Sequence, residues 1–325
     1  MEQLPDVMEL AAADVVKDTA RQAVGRYYDS NTRGFLAAGE GGRSLSIHRG
    51  IWAPGTTTAA QAADYVPALM LQQARETGAG NILDLGCGVG GTCLYLAQGL
   101  VEGTVPADFR ITGLTISAEQ ARLGKHLVAR QGFDGVVSLM QGDYTDPATF
   151  AGLPPQDLAV ALESLIHSPD LPATLANATA ALKPGGRLII CDDMIMTQPG
   201  LEDRIPESQD PESRDPADRE LGGRDRVDRY LADFRRCWHA YGLTSREALA
   251  GLCRDAGLEL LADRDLSPLL RLFRPRDRLA AFFIPVLRLF RNWPWAQNLV
   301  GGTALQRLLA RGVLSYRYQV WIKPC

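Results

Sequence analysis

The residues best suited to chemistry run Ile82-Leu83-Asp84-Leu85-Gly86-Cys87-Gly88-Val89-Gly90-Gly91. A short apolar run carrying one acid breaks into a glycine-rich turn, and a helical pattern follows. Glycine accepts positive φ and lets the backbone approach a ligand closely. The amides of a turn that opens a helix point at whatever binds there. In a doubly wound sheet, nucleotides bind at that place, the carboxyl end of the first strand. No Gly-Lys-Ser/Thr follows, which argues against a phosphate-gripping loop. The next strand-like run, Arg110–Thr115, ends without the acid that a dinucleotide ribose takes. A turn that serves packing alone is the plain alternative.

The surrounding elements must position that turn. Asn81–Leu85, Arg110–Thr115, Val136–Gln141, Asp157–Leu162 and Arg187–Asp192 are apolar runs bounded by Gly, Pro or Asp, with helical patterns between them. This alternation predicts an α/β fold, a parallel sheet with helices on both faces. Residues 1–77 read as an N-terminal helical cap. Within it, Ala11–Tyr28 has helical apolar spacing, and Thr57 or Thr58 caps a helix carrying Ala62, Tyr65, Val66 and Leu69. Thr197–Arg229 collects Pro199, Pro206, Pro211 and Pro216 among acids and arginines, and reads as a mobile lid. Thr244–Ala256 reads as a helix stopped by Gly257, with a strand from Leu258 and a closing strand at Arg317–Ile322. An apolar helical insertion, residues 266–314, lies between them and holds Phe282, Phe283, Phe290, Trp293 and Trp295.

Composition bounds the function. The chain has 325 residues, 46% of them apolar, enough for a large core and against global disorder. Its net charge of −4 gives no overall attraction to nucleic acid. Six cysteines show neither a CxxC pair nor metal-type spacing, so reduced buried thiols and no metal site are expected. Met1–Val16 lacks the basic start and apolar run of a signal peptide, and no uncharged apolar stretch is long enough to span a bilayer. A cytoplasmic location is therefore expected.

The segment LDLGCGVGG resembles the first motif of the class I S-adenosylmethionine (SAM)-dependent methyltransferases. ITGLTISAEQ, QGDYTD, ALESLIHSPD and LKPGGRLIICDD resemble that family's later motifs, in its order. YYDSNTRGFL and SLSIHRGIW resemble the N-terminal cap of the branch that includes sterol, tocopherol and cyclopropane-forming enzymes. The resemblance implies a seven-stranded, doubly wound, Rossmann-like sheet with its last strand antiparallel, residues 78–325 forming the SAM domain. It implies that Gly86, Cys87, Gly88 and Gly90 line the methionine half of SAM above Asp84. Thr115, Ile116, Ser117 and Gln120 are to flank the ribose, Asp143 to accept from the adenine amino group, and Tyr144 to lie against the ring. Tyr28, His48 and Trp52 are to come from the cap over the sulfonium, where an aromatic face adds a modest cation–π attraction. Packing between cap and sheet is the alternative for Tyr28 and Trp52.

His167 and Glu163 stand at and beyond the fourth strand, beside the expected methyl group, and Glu163 is assigned to the cofactor site as well. His167 suits a general base, its ordinary pKa lying near neutrality. Glu163 suits a proton acceptor or a partner for a carbocation, and His48 is the third candidate catalytic group. Structural roles stay open for each: His167 bonding its loop, Glu163 holding the cap backbone, His48 serving the cap. His126 and His239 read as helical surface or packing residues.

The expected activity is methyl transfer to a small, lipophilic acceptor, leaning to carbon methylation of an isoprenoid-like or aromatic compound. Oxygen or nitrogen methylation in natural-product biosynthesis, with or without ring closure, is the alternative. A non-catalytic SAM-binding protein and a nicotinamide oxidoreductase are weaker readings. No nucleic-acid partner is expected. The aromatic insertion leaves peripheral membrane contact and self-association open.

Overall fold

The computed structural model describes residues 7–38, 45, 48–103, 108–197, 223–274, 277, 283–290 and 293–325. Seven strands form one sheet: β1 (Asn81–Leu85), β2 (Arg110–Thr115), β3 (Val137–Gln141), β4 (Gln156–Leu162), β5 (Leu182–Ile195), β6 (Glu259–Asp265) and β7 (Leu314–Ile322). Their order is β3-β2-β1-β4-β5-β7-β6. The first five pair in parallel, and β7 runs antiparallel to both β5 and β6. The expected fold class therefore holds.

Both faces of the parallel strands are buried, so these strands read as continuous apolar runs. Alternate residues serve opposite cores. Ile82, Val160 and Ile189 pack on one face. Leu83, Ala159 and Leu188 pack on the other. The period of two along a strand makes that division.

Helix α1 (Val7–Ala38) and helix α2 (Ala59–Thr77) precede the sheet. Thr58 caps α2 in a capping box: its hydroxyl accepts from the Gln61 amide at 3.1 Å, and the Gln61 side chain accepts from the Thr58 amide at 3.2 Å. Helices α3 (Gly91–Val101), α4 (Ala118–Arg130) and α5 (Leu171–Ala181) alternate with the parallel strands. Then come α6 (Gly223–Cys237), α7 (Arg246–Asp255), α8 (Ile284–Leu287) and α9 (Pro294–Ala310). Among the described residues no disulfide forms; five cysteines are buried thiols, and Cys325 is exposed.

Three expectations are revised. Of the lid expected at 197–229, residues 198–222 lie outside the described residues, and Gly223–Arg229 are already helical in α6. The reason is the apolar stripe that begins at Val227 and continues through Tyr230 and Phe234, both fully buried. His239 is not helical; it sits in the turn after α6 at φ 51°. The expected insertion contains α8 and α9, and its last residue, Leu314, already belongs to β7; Phe282 lies outside the described residues.

Candidate active site

The carboxyl ends of β1, β2, β3 and β4 open onto one cleft, the kind of concave place where small molecules bind. The turn after β1 forms its floor. Gly86, Gly88 and Gly90 hold φ of 92°, 57° and 88°. The Gly86 and Cys87 amides both donate to the Leu114 carbonyl at the end of β2, at 2.9 and 2.8 Å. A Cβ on Gly86 would stand 2.4 Å from the Ser164 Cβ. Glycine is therefore needed there twice, for conformation and for space.

Asp84 lies beneath the turn, 2% exposed. The Cys93 thiol donates to its carboxylate at 3.3 Å. Burial pushes the Asp84 carboxyl up to about 7, since a charge removed from water without a strong partner is costly. A buried carboxylate facing the cleft with one weak donor is a ready seat for an ammonium group.

The other cofactor candidates divide. Cys87, Thr115, Ile116, Gln120, Asp143 and Tyr144 line the cleft with Asp84, Gly86 and Gly88. Thr115 donates to the Gln120 side chain at 2.7 Å. Ser117 is not among the lining residues: its hydroxyl caps α4 and donates to Asp29 on α1. Gly90 sits behind the turn, where a Cβ would meet Leu139. Trp52 is also outside the cleft. Its amide donates to Leu269 at 2.8 Å, and the Arg271 guanidinium covers its ring at 3.3 Å. The Ile51–Leu270 bridge draws this stretch onto the residues before α8 rather than onto the sheet's carboxyl edge.

Helix α1 contributes one face, Arg21, Val24 and Tyr28, at helical spacing. Arg21 pairs with Asp143 at 2.9 Å, whose second oxygen accepts from the Thr145 amide and hydroxyl at 2.8 Å. The Tyr28 hydroxyl meets His167 Nε2 at 2.8 Å. Burial lowers His167 to about 4, so the ring is neutral near pH 7.

Glu163 directly follows β4 at φ 50°, an unusual conformation for a side-chain residue. Its Oε1 accepts from the Arg49 amide at 3.0 Å, from Arg49 Nε at 3.1 Å and from the Tyr316 hydroxyl at 2.8 Å. Arg49 also grips Asp193 with both terminal nitrogens, at 3.0 and 2.8 Å, and lies 4.1 Å over the Tyr316 ring. These partners outweigh burial and hold Glu163 below the usual carboxylate range, Arg49 contributing most. His48 Nδ1 donates to the Arg49 carbonyl at 3.3 Å. Its Nε2 is buried with no hydrogen-bond partner among the described residues, and burial lowers its pKa.

The cleft thus gathers His48, Glu163 and His167, together with the turn. Sequence reasoning missed Arg49, Asp193, Arg21 and Tyr316. Arg49 and Asp193 lie inside segments singled out for other reasons, SLSIHRGIW and LKPGGRLIICDD. Among the described residues no cluster of three or more His, Cys, Asp or Glu is arranged to hold a metal.

Residues 76–215 match the family model described as a methyltransferase domain. The chain is 32% identical over 110 residues to ajmaline N-methyltransferase from Rauvolfia serpentina, covering 34% of this chain and 35% of that protein. It is 32% identical over 155 residues to an O-methyltransferase from Pyrenophora dematioidea, covering 45% and 52%. It therefore spans between a third and a little over half of these curated relatives. Geranyl diphosphate C-methyltransferase from Streptomyces coelicolor A3(2) superposes with a TM-score of 0.62 at 15% identity, covering 94% of this chain and 98% of that one; at that identity the likeness is one of fold.

Proposed function

We propose that this chain is a class I S-adenosylmethionine-dependent methyltransferase, a reading supported by its match to the methyltransferase-domain model over residues 76–215, and that it methylates a small acceptor bound beside Glu163. The observation that carries the reading is the pairing of two unlike sets of groups on one cleft. The Gly86–Gly88 turn with Asp84, Thr115 and Asp143 suits a nucleoside bearing an ammonium group. His48, Glu163 and the Tyr28–His167 pair suit an acceptor that must lose a proton.

When bound, the cofactor would supply an electrophilic methyl on a positively charged sulfur. The protein's share is to bind, align and move one proton. Asp84 holds the ammonium group, Gly86 and Gly88 leave room for the methionine end, and Cys87 lines it. Thr115, Ile116 and Gln120 flank the ribose. Asp143 accepts from the adenine amino group while Arg21 and Thr145 hold it in place, and Tyr144 lies against the base. Tyr28 faces the sulfonium side.

His48 is the proton acceptor in this reading. Its Nδ1 proton is committed to a backbone carbonyl, which leaves a buried Nε2 lone pair for an O–H or N–H. That favours oxygen or nitrogen methylation. Carbon methylation of an isoprenoid-like or aromatic acceptor is the second reading. The observation favouring it is the ionised Glu163 carboxylate on the same cleft as the Tyr28 ring, a setting that stabilises a carbocation.

Calorimetric titration with S-adenosylhomocysteine tests the cofactor. One-site binding in the micromolar range or tighter is expected, and no heat from folded, ligand-free protein would overturn the proposal. An acceptor screen with methyl-labelled cofactor, read by product NMR, then separates the readings: a label on oxygen or nitrogen supports His48 as the base, and a label on carbon supports the second.

A further inference from the structure

The end of the cleft beside Glu163 has a one-sided set of hydrogen-bonding groups left to offer. Its polar side chains are Tyr28, His48, Glu163, Ser164 and His167, with Tyr144 next to them. Every polar hydrogen they carry goes to an atom of the protein. Tyr144 donates to the Ser164 carbonyl at 2.8 Å, and the Ser164 hydroxyl donates to the Leu85 carbonyl. His48 and His167 each donate from Nδ1 to a backbone carbonyl, at 3.3 Å in both cases. Tyr28 donates to His167 Nε2. Two lone-pair sites are left among the described residues. One is His48 Nε2, buried without a partner. The other is Oε2 of Glu163, because the Arg49 amide, Arg49 Nε and the Tyr316 hydroxyl all reach Oε1.

The charge is unbalanced in the same direction. One guanidinium, Arg49, pairs with two carboxylates, Glu163 and Asp193, which leaves one negative charge over. Among the described residues the one arginine or lysine that lines the cleft is Arg21, and it is paired with Asp143. Burial raises the Glu163 pKa, but Arg49 and its other partners lower it further, so the group is ionised at neutral pH.

We propose that the methyl acceptor is a small amine, held as its ammonium form by one N–H to Glu163 Oε2 and another to His48 Nε2. An ammonium group offers hydrogens, no lone pair and one positive charge, which is what two open lone pairs and a surplus negative charge take. A hydroxyl has one hydrogen for two sites and brings lone pairs that find no donor. A carboxylate or phosphate brings only lone pairs and a charge of the wrong sign, and the site rejects it. The inference rests on the cofactor reading above and narrows its acceptor to one chemical class. It also gives His48 Nε2, the proton acceptor of that reading, a place against the nitrogen that must lose a proton.

The test is ligand binding to the full chain saturated with S-adenosylhomocysteine, whose ammonium group fills the Asp84 seat. Benzylamine, cyclohexylmethylamine and hexylamine are each compared with the alcohol and the carboxylic acid of the same skeleton. Saturation-transfer NMR and calorimetry at pH 7 read the Kd values. Each amine that binds is expected to bind at least about tenfold tighter than its alcohol, the difference between a charge-assisted and a neutral hydrogen bond, and the acids are expected not to bind. Glu163→Gln keeps the shape and removes the charge. It should erase the preference for amines while S-adenosylhomocysteine affinity stays unchanged. The wild-type ranking decides even where that variant does not fold. Absence of amine binding, alcohols that bind as tightly as amines, acids that bind in their place, or a preference that survives in Glu163→Gln would overturn the inference. Failure of S-adenosylhomocysteine itself to bind would instead overturn the cofactor reading, and with it this one.

Discussion

The Tyr28 hydroxyl lies 2.8 Å from His167 Nε2, and this contact distinguishes the two histidines that line the cleft. His167 Nδ1 faces the His239 carbonyl at 3.3 Å. A carbonyl only accepts, so Nδ1 carries the proton and Nε2 accepts from Tyr28. His48 has the same tautomer for the same reason, through the Arg49 carbonyl, but its Nε2 has no partner. Of two neutral imidazoles on one cleft, one has its lone pair taken.

Turnover should follow that difference. His48→Gln keeps a polar side chain of similar reach and removes the base. It is expected to lower kcat by roughly 100-fold, the low end for general-base loss, with S-adenosylhomocysteine affinity unchanged. His167→Gln should cost less in kcat and more in stability. Steady-state kinetics and calorimetry on both variants check this, and a larger kcat loss in His167→Gln reverses the roles.

Stability should carry the signature of His167. Its folded pKa of about 4 lies below the ordinary 6.5. Its contribution is therefore fully present above pH 6.5 and is lost as pH falls through about 4. The gap corresponds to about 3 kcal/mol. Asp84 at about 7 and Asp192 at about 8 act in the opposite sense, their contributions being lost as pH rises toward those values. The comparison must therefore be a difference. Urea unfolding of wild type and His167→Gln, measured between pH 4 and 7.5, should show a gap that narrows as pH falls.

Much of this arrangement was legible in the sequence because the signals are local. Asn81–Leu85 and Arg110–Thr115 are bounded by turn residues, and the observed strands have the same limits. Thr58 announces a helix by cap chemistry, and Gly257 at φ 86° ends one. The turn from Gly86 to Gly90 stands out because only glycine combines such φ values with such close neighbours. Partners distant in sequence were not legible. Nothing local to Glu163 says that its oxygen is held by Arg49 and Tyr316, 114 and 153 residues away. Trp52 shows the same limit: its segment was found, but a bridge to Leu270 decides where the indole lies.

Two glycines of positive φ separate conformation from space. Gly132, at φ 76°, has nothing within 4 Å of a built Cβ; Gly86, at φ 92°, has Ser164 at 2.4 Å. Gly132→Ala should cost about 1 kcal/mol from backbone strain alone and leave S-adenosylhomocysteine binding intact. Gly86→Ala should cost more, because Ser164 and the turn must move, and should abolish binding. Thermal unfolding and calorimetry on the pair check it; unchanged affinity in Gly86→Ala would remove the turn from the cofactor site.

Arg49 is the group on which the acceptor side of the cleft depends. It binds Asp193 through both terminal nitrogens and Glu163 through Nε, and its own amide donates to the same Glu163 oxygen. Asp193 is 5% exposed, so water does not replace the guanidinium when it is removed. Arg49→Met should therefore cost about 3–5 kcal/mol, the range for stripping one partner from a buried ion pair. Arg49→Lys restores the charge without the planar fork and should recover only part of it. The loss has a sign in pH. Without Arg49 the two carboxyls rise toward neutral values and are protonated in the folded state, so the variant should weaken further as pH increases from 5 to 9. A surface role would leave the variant's deficit flat with pH. Urea unfolding of both variants across that range, with kcat measured in parallel, distinguishes a buried counter-ion from a residue that merely ties the cap to the sheet.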